Sequence, residues 1–199
     1  MSRHTTYVIL FLVTASTLVL ELSMTRLFSV VMYYHFAFLA ISLALFGLGA
    51  SGQYLYLSKR VFGSDDTPRA LSTIALLFAV SIIVALFVSL SQAISMEYST
   101  ANVFKLGLIY VFSLIPFFFS GLIVSLILFQ GARDISRLYF WDLAGAATGA
   151  LVTVPILNAV GAINAQLVAA VLSCVAAVIA STIAKGRQAI ACYVVAILV

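Results

Sequence analysis

The sequence predicts an all-α, polytopic membrane fold of about seven transmembrane helices, and three observations carry that expectation. Apolar residues make up 64% of the chain and charged residues only 8%, with a mean hydropathy of +1.23. That leaves too little polar surface to cover a water-soluble globule of this size. Long uncharged runs cover 4–20, 27–58, 70–96, 106–132, 143–184 and 188–199, and most exceed the roughly 18 residues that a spanning helix needs. Finally, most of the basic residues fall on one side once those runs are threaded through a bilayer.

Spans are placed near 6–24, 31–52, 70–92, 106–130, 138–158, 164–184 and from 189 onward. The first follows Arg3 without a small-residue cleavage pattern, so it reads as an uncleaved helix rather than a signal peptide. The second carries Ala37, Ala40, Ala44, Gly47 and Ser51 at three- and four-residue spacing, a face of small side chains that another helix can approach closely. Gly49 and Gly52 continue its glycine-rich end. The fourth contains Pro116, whose ring frees the carbonyl four residues earlier. With Gly121 close behind, a bend or discontinuity is expected there, one that more often shapes helix packing than lines a cavity. Pro155, Asn158, Gly161 and Asn164 interrupt the run 143–184 at its middle and predict a hairpin of two helices. The final run of 12 residues is too short to cross the core, so the sequence is expected to stop inside a seventh span.

Arg3, Lys59, Arg60, Arg69, Arg133, Arg137, Lys185 and Arg187 fall on one side of this threading, and Arg26 and Lys105 on the other. The positive-inside rule then sets a multi-pass protein of the cell membrane with its N-terminus in the cytoplasm. Tyr54, Tyr56, Tyr139 and Trp141 lie at the expected cytoplasmic headgroup level, and Tyr33 and Tyr34 at the outer one. The net charge of +4 is spread over loops rather than gathered in a patch, so the lipid bilayer is the expected partner and nucleic acid is not.

Three ionisable residues stand out within the apolar runs. Asp142 shares a face with Gly145, Ala146, Gly149 and Thr153, one turn inside the fifth span, where a carboxylate should turn inward and find a polar or cationic partner. Glu21 and Arg26 are five residues apart, about 140° around a continuous helix, so they cannot pair across one straight face. Either the chain bends near Ser23–Thr25 or each finds its own partner, with Arg26 snorkelling outward. Glu21 and Asp142 belong to opposite sides and should not form a carboxylate dyad. His35 is a lone interfacial histidine, and Cys174 and Cys192 have neither ligand nor redox spacing. No metal spacing, phosphate-binding glycine loop or nucleophile–base pair is present, so catalytic residues and cofactors are expected to be absent from this segment.

The stretch Glu21–Leu27, the helix ending Gly47-Leu-Gly49-Ala-Ser-Gly52, the segment Pro116–Gly121 and the segment Arg137–Gly149 together resemble the membrane-bound spermidine synthase-like proteins. That resemblance implies that residues 1–199 are an N-terminal helical domain of such a protein. In that family such a domain is joined to a cytoplasmic polyamine-synthase-like domain, absent from this chain; the expectation built on the resemblance is that the helices anchor that domain and pass small molecules to or from it. The full-length family is similar to polyamine aminopropyltransferases, but the cofactor loop and catalytic acids have no counterpart here. The alternative is half of a small-molecule secondary transporter, with a site around Asp142 and the break at Pro116.

Overall fold

A computed structural model describes residues 3–31, 36–58, 67–92 and 100–184. They form five helices: α1 (Arg3–Val31), α2 (Ala37–Leu57), α3 (Thr67–Ser91), α4 (Thr100–Gln130) and α5 (Ile135–Ala184), with a 3-10 turn Ala132–Asp134 before α5. All five are long and apolar enough to cross a membrane. Readings that concerned Tyr33, Tyr34, His35, Lys59, Arg60, Lys185, Arg187, Cys192 and the span from 189 lie outside the described residues.

The first correction concerns α1, which was expected to end near residue 24. It runs unbroken through Glu21 and Arg26 to Val31, 29 residues or about 43 Å. Ser23 and Thr25, where a bend was one expectation, instead turn their hydroxyls onto the carbonyls of Leu20 and Glu21, at 3.0 and 2.8 Å. Their hydroxyls are satisfied inside the helix, so neither needs a break in the backbone to find a partner. A second correction concerns α4, which stays helical across Pro116. The missing N–H of one proline does not interrupt a 31-residue apolar helix packed along its length.

The break falls in α5 instead, at Gly161, with φ 79° and ψ 173°. Gly149 lies against Ala15 of α1, and the carbonyl of Ala169 accepts a hydrogen bond from Ser16 at 2.7 Å. Twenty residues of straight helix would separate those two contacts by about 30 Å. The chain therefore doubles back at Gly161, as the hairpin reading expected.

The bundle is organised around α1. Five consecutive residues, Val13 to Thr17, are all buried, which requires neighbours on every side. The Thr14 hydroxyl is shared between the Leu10 carbonyl of its own helix (3.0 Å) and the Asp142 carbonyl in the first half of α5 (3.2 Å), Ser16 donates to Ala169 in the second half, and Thr17 pairs with Ser120 of α4. On the far side of the second half of α5, Ser173 donates to the carbonyl of Ala75 in α3 at 2.8 Å. The core between these helices holds Phe28, Phe78, Phe117, Leu20, Met24 and Ile82, all fully buried. By contrast α2 buries one face only: Ala40, Ala44, Gly47, Ser51 and Leu55 pack inward while Phe38, Leu45, Phe46 and Leu57 are exposed.

Candidate functional site

Glycine positions decide how closely the helices meet. A Cβ at Gly149 would sit 2.6 Å from the Ala15 carbonyl oxygen, one at Gly145 would meet Thr14 and the Phe11 backbone, and one at Gly47 would lie 2.7 Å from Cβ of Phe117. At Gly121 the added atom would meet Ser51 and would be 2.9 Å from the Leu48 Cα. Backbone-to-backbone approach of this kind admits no side chain. Gly52 has only an ordinary contact, 3.8 Å to Ser125 Oγ. Gly49 is a correction: it faces open space, with nothing within 4 Å, so it is not a packing position. It lies two residues past Gly47 and is turned about 200° away from the stripe.

The three ionisable candidates are not brought together. Asp142 sits level with Thr14, and Glu21 lies seven residues further along α1, about 10 Å on along the axis. Glu21 and Asp142 are half-buried and Arg26 is exposed. None of the three forms an ion pair among the described residues. The expected partner for the Asp142 carboxylate is therefore absent from these residues. Its face is nonetheless the one that packs on α1, because Gly145 and Gly149 follow it there and its own carbonyl accepts from Thr14. Arg26 lines a cavity of about 490 Å³ beside the Gly161 turn, where Asn158 is its polar companion and Leu27, Val30 and Leu90 are apolar walls.

At the opposite end of the bundle α1 and α3 begin, α4 ends and α5 starts. There Arg3 Nη1 and Asp134 Oδ2 form an ion pair at 3.3 Å, the one salt bridge among the described residues. Beside it is a cavity of about 450 Å³ whose wall includes Arg3, Tyr7, Thr67, Gln130, Asp134 and Leu138. Gln130 Nε2 donates to Thr67 Oγ1 at 2.7 Å, tying α4 to α3. Trp141 stacks on the ring of Tyr7 (6.1 Å between centroids, 12° between planes) and meets Phe11 edge-on. That leaves Trp141 partly covered by α1, while Tyr139 and Phe140 beside it are exposed. Tyr7 is 8% exposed, and its buried hydroxyl has no hydrogen-bond partner among the described residues. Gln166, in the second half of α5, is fully buried, and its amide likewise has no partner among them.

Sequence reasoning missed Arg3, Asp134, Tyr7 and Gln166 as site residues. Arg3 reads only as a basic residue of the cytoplasmic side and Asp134 is not singled out; the fold joins them. Gln166 carried a signal, a primary amide inside a 42-residue uncharged run, that the search for ionisable groups passed over. Among the described residues no three His, Cys, Asp or Glu side chains converge as metal ligands. No protein-family model, curated protein or solved structure matches the chain.

Proposed function

We propose that this chain is the multi-pass, membrane-embedded domain of a spermidine synthase-like protein, set in the cell membrane with its N-terminus in the cytoplasm. There it anchors a polyamine-synthase-like domain and presents small molecules to it. The observation that carries this reading is the pairing of five helices of spanning length with a one-sided charge distribution. Arg3, Arg69, Arg133 and Arg137 gather at the end where α1 begins, against Arg26 and Lys105 at the other. The same end holds the cavity beside the Arg3–Asp134 ion pair.

Counted with the reversal at Gly161, the described helices make six crossings and bring Ala184 back to the Arg3 end. The seventh span read from 189 would lead outward again, so a cytoplasmic domain then requires an eighth. The alternative of half a transporter is weakened by two features. The unbroken α4 offers no discontinuous helix at mid-membrane, and Asp142 has no charged partner among the described residues.

The test has two arms. Membranes bearing the chain should retain it through an alkaline wash and should recruit a separately expressed polyamine-synthase-like domain to their cytoplasmic face. Proteoliposomes should take up labelled spermidine no faster than protein-free vesicles. Saturable, gradient-driven uptake would overturn the anchor reading in favour of transport, and a chain released by the alkaline wash would overturn both.

A further inference from the structure

We propose that the cavity beside the Gly161 turn holds one anionic phospholipid, with its phosphate on Arg26 and the start of its acyl chains against the apolar wall. The inference rests on the membrane-spanning part of the proposed function and adds a lipid site to it. It holds whichever way the bundle is oriented in the bilayer.

Three observations converge on it. First, Arg26 lines this cavity of about 490 Å³, forms no ion pair among the described residues, and has no described carboxylate in the wall beside it. Arg26 is exposed, so the planar fork of its five N–H donors is open to a bidentate anion. Asn158, also exposed and in the same wall, adds a neutral amide for the headgroup. Second, the arginine lies at the right depth. It stands five residues before the end of α1, about 34 Å along the helix from Arg3, and the residues from Leu27 to Val31 that follow it carry no charge. Against a hydrocarbon core of about 30 Å, that places Arg26 at the edge of the core, where lipid phosphates begin. Third, the rest of the wall offers real apolar surface. Val30, Leu90, Val154 and Ile163, drawn from α1, α3 and both halves of α5, are 71, 46, 60 and 43% exposed. The volume falls in the range of ligand pockets, about 300–1,000 Å³. An unpaired guanidinium at the edge of the core, above open hydrocarbon surface between helices, complements a molecule with phosphate at one end and acyl chains at the other. A zwitterionic headgroup would bring its own cation beside Arg26 with no described carboxylate in the wall to receive it, so charge selects an anionic lipid.

The purified chain in nanodiscs tests this, with retained lipid counted by native mass spectrometry and stability followed by thermal unfolding. In phosphatidylcholine discs doped with phosphatidylglycerol, one phosphatidylglycerol should be retained per chain and the unfolding temperature should rise above that in pure phosphatidylcholine. Arg26→Gln should weaken retention about tenfold, as loss of charge-assisted hydrogen bonds requires. Arg26→Lys, which keeps the charge but not the fork, should fall between the two. Val154→Trp should displace the lipid with Arg26 intact, because the larger side chain fills the cavity. Arg3→Gln, at the far end, should leave retention unchanged. Arg26 and Val154 are exposed, so these variants should unfold with wild-type temperatures in pure phosphatidylcholine discs. Equal retention by wild type and Arg26→Gln, retention indifferent to Val154→Trp, or an equal loss in Arg3→Gln would overturn the proposal. Inorganic phosphate added to pure phosphatidylcholine discs at matched ionic strength should not stabilise the chain; stabilisation that Arg26→Gln abolishes would overturn the lipid as ligand in favour of a soluble anion. The alkaline wash tests membrane insertion separately, so the lipid site can fail while that reading stands.

Discussion

Gly149 and Gly49 are chemically identical, and the fold gives them opposite work. Gly149→Leu would drive a side chain into the Ala15 backbone and force α1 and α5 apart, at a cost of about 1–3 kcal/mol or more. Gly47→Leu, against Phe117, should behave likewise. Gly49→Leu and Leu151→Phe, both on exposed surface, should leave thermal stability in detergent within about 0.5 kcal/mol. Asp142→Asn belongs with the tolerated changes, since its carboxylate has no ion pair among the described residues to lose and its helix is held by its carbonyl, which any residue provides. Loss of stability in Asp142→Asn, read by the same unfolding assay, would show that the carboxylate has a partner beyond those residues. The small-residue faces were legible in the sequence because their signal is local, Gly, Ala and Ser recurring every three or four positions. The orphaned hydroxyl of Tyr7 was not, because orphaning depends on what fails to arrive from other helices.

Among the elements, α5 carries the most informative conformation. At φ 79° and ψ 173° Gly161 occupies backbone space that is essentially reserved for glycine, and an added Cβ there would meet nothing within 4 Å. Any penalty for Gly161→Ala is therefore conformational rather than steric. About 1–3 kcal/mol is expected, detectable as a lower unfolding temperature without loss of the buried contacts on α1. Pro, Asn and Gly clustering inside one long run announced this turn from sequence. The same logic misread two other helices. Glu21 and Arg26 looked like the end of a span, yet a long side chain can lie within helical backbone and reach for polar surroundings, so α1 continues to Val31. Pro116 looked like a break, yet the surrounding ladder of a packed apolar helix keeps α4 helical on both sides of it.

At the scale of the whole molecule, α1 is enclosed by α4 and both halves of α5, and hydroxyls rather than charges join these helices. Each such bond contributes modestly, about 0.6 kcal/mol on average in membrane bundles. Ser16→Ala should therefore cost far less than Gly149→Leu in the same unfolding assay, and the reverse order would mean that polar bonding, not close packing, sets the assembly. The hairpin was readable from its turn residues, and the all-α class from the apolar runs; of the seven helices expected, the described residues form five, the fifth folded back on itself at Gly161. Which helix is central was not, because a helix that faces lipid is as free to be apolar as one enclosed by protein, and only long-range contact separates α1 from α2. The account stands on the bundle crossing a bilayer with the Arg3 end in the cytoplasm and the Gly161 turn outside. Single cysteines at Ser136 and Asn158, in a chain whose Cys174 and Cys192 are replaced by alanine, test this with a membrane-impermeant maleimide on intact cells and on inverted vesicles. Both residues are exposed, one at each end of the first half of α5. The account predicts that Asn158→Cys is labelled on intact cells and Ser136→Cys only on inverted vesicles; labelling of both from the same side would contradict it.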